Sequence, residues 1–188
     1  MQGSQKKVSA SELLGISTLI VGEVGSGKTA LTAKILDDLV DLGYAQEITV
    51  IDIGPDKLGV GGKLSNYSKR IGEIRLLEPK GLRAPRLEGK NAEEVIRFAE
   101  ENKRKIEPLF LSFLDSPTNI LVINDLSIYL QAGPVETIFS LMEMARTFLA
   151  NSYYGRRLSE DYGSGITKKE MEAVNSLLKK VDKVIYLQ

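Results

Sequence analysis

Eight consecutive residues hold the densest chemistry in the chain: Gly22, Glu23, Val24, Gly25, Ser26, Gly27, Lys28 and Thr29. Their spacing is Gly-x-x-x-x-Gly-Lys-[Ser/Thr], the phosphate-binding pattern known as Walker A. Gly22, Gly25 and Gly27 permit backbone conformations that side chains would block, so successive N–H groups can point inward at phosphate oxygens. A helix opening near Gly27, with Ala30 in its first turn, adds the positive end of its dipole. Lys28 is then the cation for the β- and γ-phosphates, and the Thr29 hydroxyl a ligand for Mg²⁺.

A phosphate cradle needs an acid at the end of another buried strand to organise the metal shell. The apolar run 120–123 is followed by Asn124 and Asp125, a pattern of the Walker B type. Two readings are open. Asp125 organises Mg²⁺ and Asn124 is the last strand residue, or Asn124 holds the metal position and Asp125 polarises water. An amide lacks the negative charge that the metal shell favours, so the first is preferred, with Thr29 and Asp125 as metal residues. Asn151 and Ser152 are expected to end the strand beside this one, where a polar side chain can sense the γ-phosphate. Arg146, Arg156 and Arg157 are candidates for a charge-neutralising arginine, within the chain or across a subunit interface. The candidate catalytic residues are therefore Lys28, Asn124, Asp125, Asn151 and Arg156.

Positioning these groups requires alternating strands and helices. Residues 16–21 read as a strand entering the cradle, and Leu31, Ile35, Leu39 and Leu42 recur at helical spacing, with Gly43 as the cap. A buried strand over 48–53 carries Asp52 and is broken at Gly54-Pro55; a short third strand covers 74–77. Asn91 and Glu94 form a capping box ahead of a helix through Val95, Phe98, Ala99 and Asn102. Pro108 either kinks this helix or begins a second one with Phe110 and Phe113. Pro134 opens a helix through Ala145. A strand is expected over 147–152, because an α/β unit needs one between consecutive helices. A helix over 167–180 and a strand over 183–187 complete the chain. Residues 1–10 are expected to be flexible, and 54–70 and 155–165 to be mobile loops.

The 188 residues suit a single domain with a sizeable core. With 25 basic and 25 acidic residues, no global charge draws the chain to nucleic acid or membrane. There is no Cys or His, which removes thiol chemistry, imidazole bases and the common zinc ligands. Any metal must be held by oxygen, as Mg²⁺ is. No apolar run approaches a membrane span, and no apolar stretch follows the first residues, so a cytoplasmic protein is expected. One local asymmetry stands out. Nine basic and three acidic residues lie between Lys57 and Lys90, a local charge of +6. It reads either as scattered solvated charge or as a surface for DNA, RNA or an acidic partner. Only Tyr67 is aromatic there, which leaves no stacking platform.

These residues together resemble the RecA-like branch of the P-loop ATPases. The resemblance rests on the Walker A loop, the second strand ending in Asp52, the strand ending in Asn124-Asp125, and the polar end at Asn151-Ser152. Ile51-Asp-Ile-Gly-Pro55 is similar to the second strand of FtsK–HerA pumps. The resemblance implies a three-layer αβα sandwich, a P-loop NTPase fold with a mainly parallel RecA-like central sheet. It also implies ATP/ADP and Mg²⁺ as ligands and a homo-oligomer as a working form. The chain departs from the family in carrying Asn-Asp in place of Asp-Glu, and in having no Gln at the strand end near 151. Mg²⁺-dependent ATP hydrolysis is accordingly expected to be slow or partner-stimulated. The alternatives are a nucleotide-dependent switch with little hydrolysis and a small-molecule kinase. Asp56-Lys-Leu-Gly59 matches Asp-x-x-Gly, but no Asn-Lys-x-Asp guanine-reading motif exists, which disfavours GTP.

Overall fold

The computed structural model describes residues 8–55 and 62–188. Six strands form one sheet: β1 (Ser17–Gly22), β2 (Ile48–Asp52), β3 (Arg75–Leu77), β4 (Ile120–Asn124), β5 (Thr147–Tyr153) and β6 (Lys183–Leu187). Their order is β3-β2-β4-β5-β1-β6, and every pairing is parallel. The helices are α1 (Lys28–Asp41), α2 (Pro85–Glu88), α3 (Ala92–Asp115), α4 (Leu126–Leu130), α5 (Val135–Met144) and α6 (Ile166–Lys180).

Parallel strands covered on both faces bury nearly every position, which explains the mainly apolar runs in β1, β2 and β4. Successive side chains serve opposite layers. Leu19 and Val21 join the core beneath α3, α4, α5 and α6, with Phe110, Phe113, Tyr129, Ile138 and Leu177. Ile20 joins the opposite core with Leu36 and Leu39 of α1 and with Leu13 and Leu64. The result is the expected three-layer αβα sandwich, its sheet wholly parallel among the described residues.

Most expected elements form within a residue or two of their forecast bounds. The strand over 147–152 is β5, and it lies between β4 and β1. Pro108 does not begin a second helix, since α3 runs through it for 24 residues. Phe110 and Phe113 on this helix are fully buried, and the Phe110 ring meets Tyr129 edge-on at 4.9 Å. Burial of that apolar face offsets the hydrogen bond the proline removes. Asn91 caps α3 by accepting from the Glu94 N–H at 2.9 Å, and Glu94 reaches back to the Lys90 N–H. The short α4 had no forecast; five residues are too few for a periodicity to show.

Three segments were expected to move. Residues 1–7 and 56–61 lie outside the described residues, and with them the Asp-x-x-Gly match and Lys57. From Ala10 the chain is packed, with Ala10 and Leu13 buried. Residues 64–70 are tied down by two carboxylates. Asp52 accepts from the Leu64 N–H at 2.7 Å, and Asp37 of α1 accepts from the Ser68 hydroxyl and the Lys69 N–H. Residues 155–165 form no helix or strand. No helix among the described residues is long and apolar enough to cross a membrane.

Candidate phosphate-binding site

At the carboxyl edge of a parallel sheet, strand ends and helix starts converge. Gly22 ends β1 beside β6, and a Cβ there would stand 2.4 Å from the Leu187 carbonyl and 2.7 Å from Ser26 Oγ. No side chain fits. Gly25 and Gly27 have φ of +75° and +90°, the left-handed region that a side chain disfavours. The loop closes on its own atoms: the Ser26 N–H donates to the Glu23 carbonyl, and the Lys28 ammonium donates to the same oxygen at 2.6 Å. Burial lowers the Lys28 pKa, against the pull of Asp125 and Glu23. Ser26 Oγ is buried with no hydrogen-bond partner, a polar atom held against the inside of the loop.

A cleft of about 250 Å³ opens above this loop, lined by Val24, Gly25, Gly27, Lys28, Thr29 and Ala30 from one side. Asp125, Ser127, Gln131, Asn151, Tyr153 and Arg86 line the other. Gly22, Glu23, Ser26 and Arg156 are not among the lining residues. Glu23 turns away, and its carboxylate accepts from the backbone N–H groups of Arg156 and Arg157. The Arg156 side chain is exposed.

Behind the cleft runs a buried polar chain. Asn124 ends β4, and its Oδ1 lies 3.4 Å from Thr29 Oγ1 and accepts from Asn151 Nδ2 at 2.8 Å. Asn151 Nδ2 also donates to Thr32 of α1, and its Oδ1 accepts from the Asp125 N–H. Asn124 Nδ2 donates to Asp52 Oδ1 and to the Gly62 carbonyl, each at 2.7 Å. Asp52 is thus spent on holding Asn124 and the 62–64 backbone. The residue beside Thr29 is the amide, and the acid is one step along the chain.

Asp125 itself has φ of +64°, a left-handed backbone that is uncommon outside glycine. Its carboxylate accepts from the Ser127 hydroxyl, and burial raises its pKa against that bond and the charges of Lys28 and Arg86. Strain at a cleft-lining acid with a raised pKa is a common mark of a working group.

In the sequence Arg86 is one of the nine cations between 57 and 90. It is 9 % exposed, and its guanidinium forms a bidentate pair with Glu170 of α6 at 3.1 Å. No sequence signal distinguished it from its neighbours. Four other cations of that region are engaged within the fold. Lys63 donates to the Asp52 carbonyl, Arg70 pairs with Asp41 and Glu73, Arg75 donates to Ser112 and Ser116, and Arg83 lies over the Phe98 ring. Lys69, Lys80 and Lys90 are exposed.

Would the residues present suit a triphosphate with Mg²⁺? A glycine nest, a partly buried lysine and a hydroxyl at Thr29 fit phosphate oxygens. Among the described residues no group of three or more acids could hold a metal ion by itself. The sheet order, with β5 inserted between the strand entering the phosphate loop and the strand ending at Asn124, defines a P-loop α/β fold with a RecA-like sheet.

No protein-family model matches the chain, and no curated protein does. Among solved structures it is similar to the flagellar accessory protein FlaH from Methanocaldococcus jannaschii. The two share 13 % identity at a TM-score of 0.46, over 83 % of this chain and 68 % of FlaH.

Proposed function

We propose that the chain binds a Mg²⁺–nucleoside triphosphate, ATP before GTP, and hydrolyses it slowly. The observation that carries this reading is convergence. Val24, Gly25, Gly27, Lys28 and Thr29 of the loop line one cleft with Asp125 and Asn151 at the carboxyl edge of three adjacent strands, and Asn124 lies directly behind it against Thr29. In this reading Lys28 and the loop N–H groups hold the phosphates, and Thr29 and Asn124 flank the metal. Bound Mg²⁺ supplies charge neutralisation at the terminal phosphate. Asp125 orients and polarises water, for which its raised pKa suits it. The geometry favours this assignment over the sequence preference for Asp125 as the metal acid, because the Thr29 hydroxyl faces Asn124.

A specific observation also supports the switch reading. The position beside Thr29 carries no charge, and Asp52, the acid bonded to Asn124, is committed to two backbone N–H groups and that amide. Turnover limited by that neutral position leaves a long-lived bound state. Calorimetric titration of ATP and ADP with Mg²⁺, followed by single-turnover hydrolysis, tests both readings. Binding with measurable single-turnover hydrolysis supports the first, binding without hydrolysis supports the switch, and absence of binding removes both.

A further inference from the structure

Across the cleft from the phosphate loop lies a buried polar group that the proposed chemistry does not use. Arg86 follows Pro85 in α2 and lines the cleft, yet its guanidinium is turned onto Glu170 with two nitrogens, and it also donates to Thr167 Oγ1 at 3.3 Å. Glu170 is 3 % exposed and accepts as well from Gln131 Nε2 at 2.9 Å. Gln131, also 3 % exposed, lines the same cleft, and its Oε1 is buried with no partner. A cation and an unsatisfied amide thus share one wall, on the side where Asp125 and Asn151 stand. A buried ion pair between two elements is weak evidence of stabilisation by itself, since desolvation offsets most of the attraction. An arginine held at a cleft wall by an internal carboxylate is, however, a reserve of charge that an anion can draw on.

We propose that Arg86 is the residue by which this cleft tells a nucleoside triphosphate from a diphosphate, and that Glu170 competes with the ligand for it. This rests on the reading of the cleft as a nucleotide site. The γ-phosphate offers the guanidinium a pair of oxygens as the Glu170 carboxylate does, and only the triphosphate carries it. Release of Glu170 would leave its carboxyl with the Gln131 amide, and burial already pushes that carboxyl up to about 7. The neutral form then carries a proton that can be donated, and the orphaned Gln131 Oε1 is an acceptor on the same wall. The exchange would also loosen the tie that Arg86 makes between α2 and α6, the helix that follows the 155–165 segment.

The test is the ratio of ATP to ADP affinity, measured by calorimetry with Mg²⁺, for the wild type, Arg86→Gln and Glu170→Gln. Arg86→Gln should lower ATP affinity about tenfold or more, with ADP affinity unchanged within about twofold. Glu170→Gln should do the reverse, raising ATP affinity several-fold with ADP unchanged, because the competitor's charge is gone. A purely structural pair gives no such opposition; both substitutions would then weaken both ligands alike, and that outcome overturns the proposal. If Arg86→Gln does not fold because it strands Glu170, the Arg86→Gln/Glu170→Gln double variant, which leaves no unpaired charge, takes its place. It should show the ATP loss of the single variant, and an unchanged ratio in it overturns the proposal. A wild type that binds both nucleotides while the variants keep its ratio sinks this inference alone. A wild type that binds neither sinks the nucleotide reading with it.

Discussion

Lys28 is the residue on which the phosphate reading depends most directly. Its ammonium lies in a partly dehydrated cleft, where a point charge acts more strongly than in water. Lys28→Ala should lower ATP affinity at least about tenfold while circular dichroism and the unfolding midpoint stay close to wild type. Unchanged affinity in the folded variant would remove the role. Asn124 and Asp125 invite the reciprocal pair of substitutions. Asn124→Asp sets a carboxylate where an amide nitrogen now lies 2.7 Å from Asp52 Oδ1, so two buried acids would meet. The protein without nucleotide should lose about 2–4 kcal/mol of stability, and Mg²⁺–ATP should restore more of it than in the wild type. Asp125→Asn should leave Mg²⁺–ATP affinity within about twofold and lower the single-turnover rate about a hundredfold, as loss of a water-orienting group does. If Asp125→Asn instead abolishes the Mg²⁺ dependence of binding, Asp125 is the metal acid.

At the scale of elements, the phosphate loop and the 155–158 segment are joined through one side chain. Glu23 accepts from the N–H groups of Arg156 and Arg157, and a Cβ on Gly155 would collide with its carboxylate. Tyr153 adds a second tie by accepting from the Leu158 N–H at 2.9 Å. Glu23→Ala should raise the hydrogen-exchange rates of the 156 and 157 amides about tenfold or more, with β5 unaffected, because those donors then face only water. Exchange unchanged at both amides would show that Glu23 does not hold the segment. In α3, Pro108 denies one carbonyl its partner in a helix otherwise well capped and anchored. Pro108→Ala should raise stability by about 1–2 kcal/mol, readable as a higher melting temperature. A lower melting temperature would mean that the proline's restriction of the unfolded chain outweighs the missing bond.

For the whole molecule, the Arg86–Glu170 pair links α2 to α6 and gives stability a pH dependence. The Glu170 carboxyl is raised by burial to about 7 from an ordinary 4.5, so between these values the folded state holds a proton that the unfolded state has lost. Stability therefore falls as pH rises through this window, reaching its lower level above pH 7. The urea midpoint should drop between pH 5 and pH 8. Glu170→Gln should flatten that slope, and a slope that persists unchanged in the variant would assign it to other groups. The +6 region belongs at this scale too. Five of its cations are engaged within the fold, so a nucleic-acid surface would fall to Lys69, Lys80 and Lys90. Replacing these three with Gln should lower any DNA or RNA affinity uniformly across sequences and reduce its salt slope by roughly one unit per lost contact. No binding by the wild type at low salt ends that reading.

The sequence by itself determined whatever depends on neighbours along the chain. Glycine spacing, apolar runs, the Asn91 cap and the helical period are local, so the glycine loop, the four longer helices and all six strands were legible in it. Even the β5 strand, ambiguous by periodicity, followed from the alternation that a parallel sheet imposes. Tertiary structure alone decided which polar side chains share a cleft. Asn124 and Asp125 differ by one position at a strand end, and only the packing of β4 beside α1 and β5 sets the amide against Thr29 and Asn151. Arg86 and Glu170 stand 84 residues apart, and no local pattern can announce a pair made by two elements meeting across a core. Pro108 shows the same limit in reverse, since burial of Phe110 and Phe113 overrides a local rule that reads as a break.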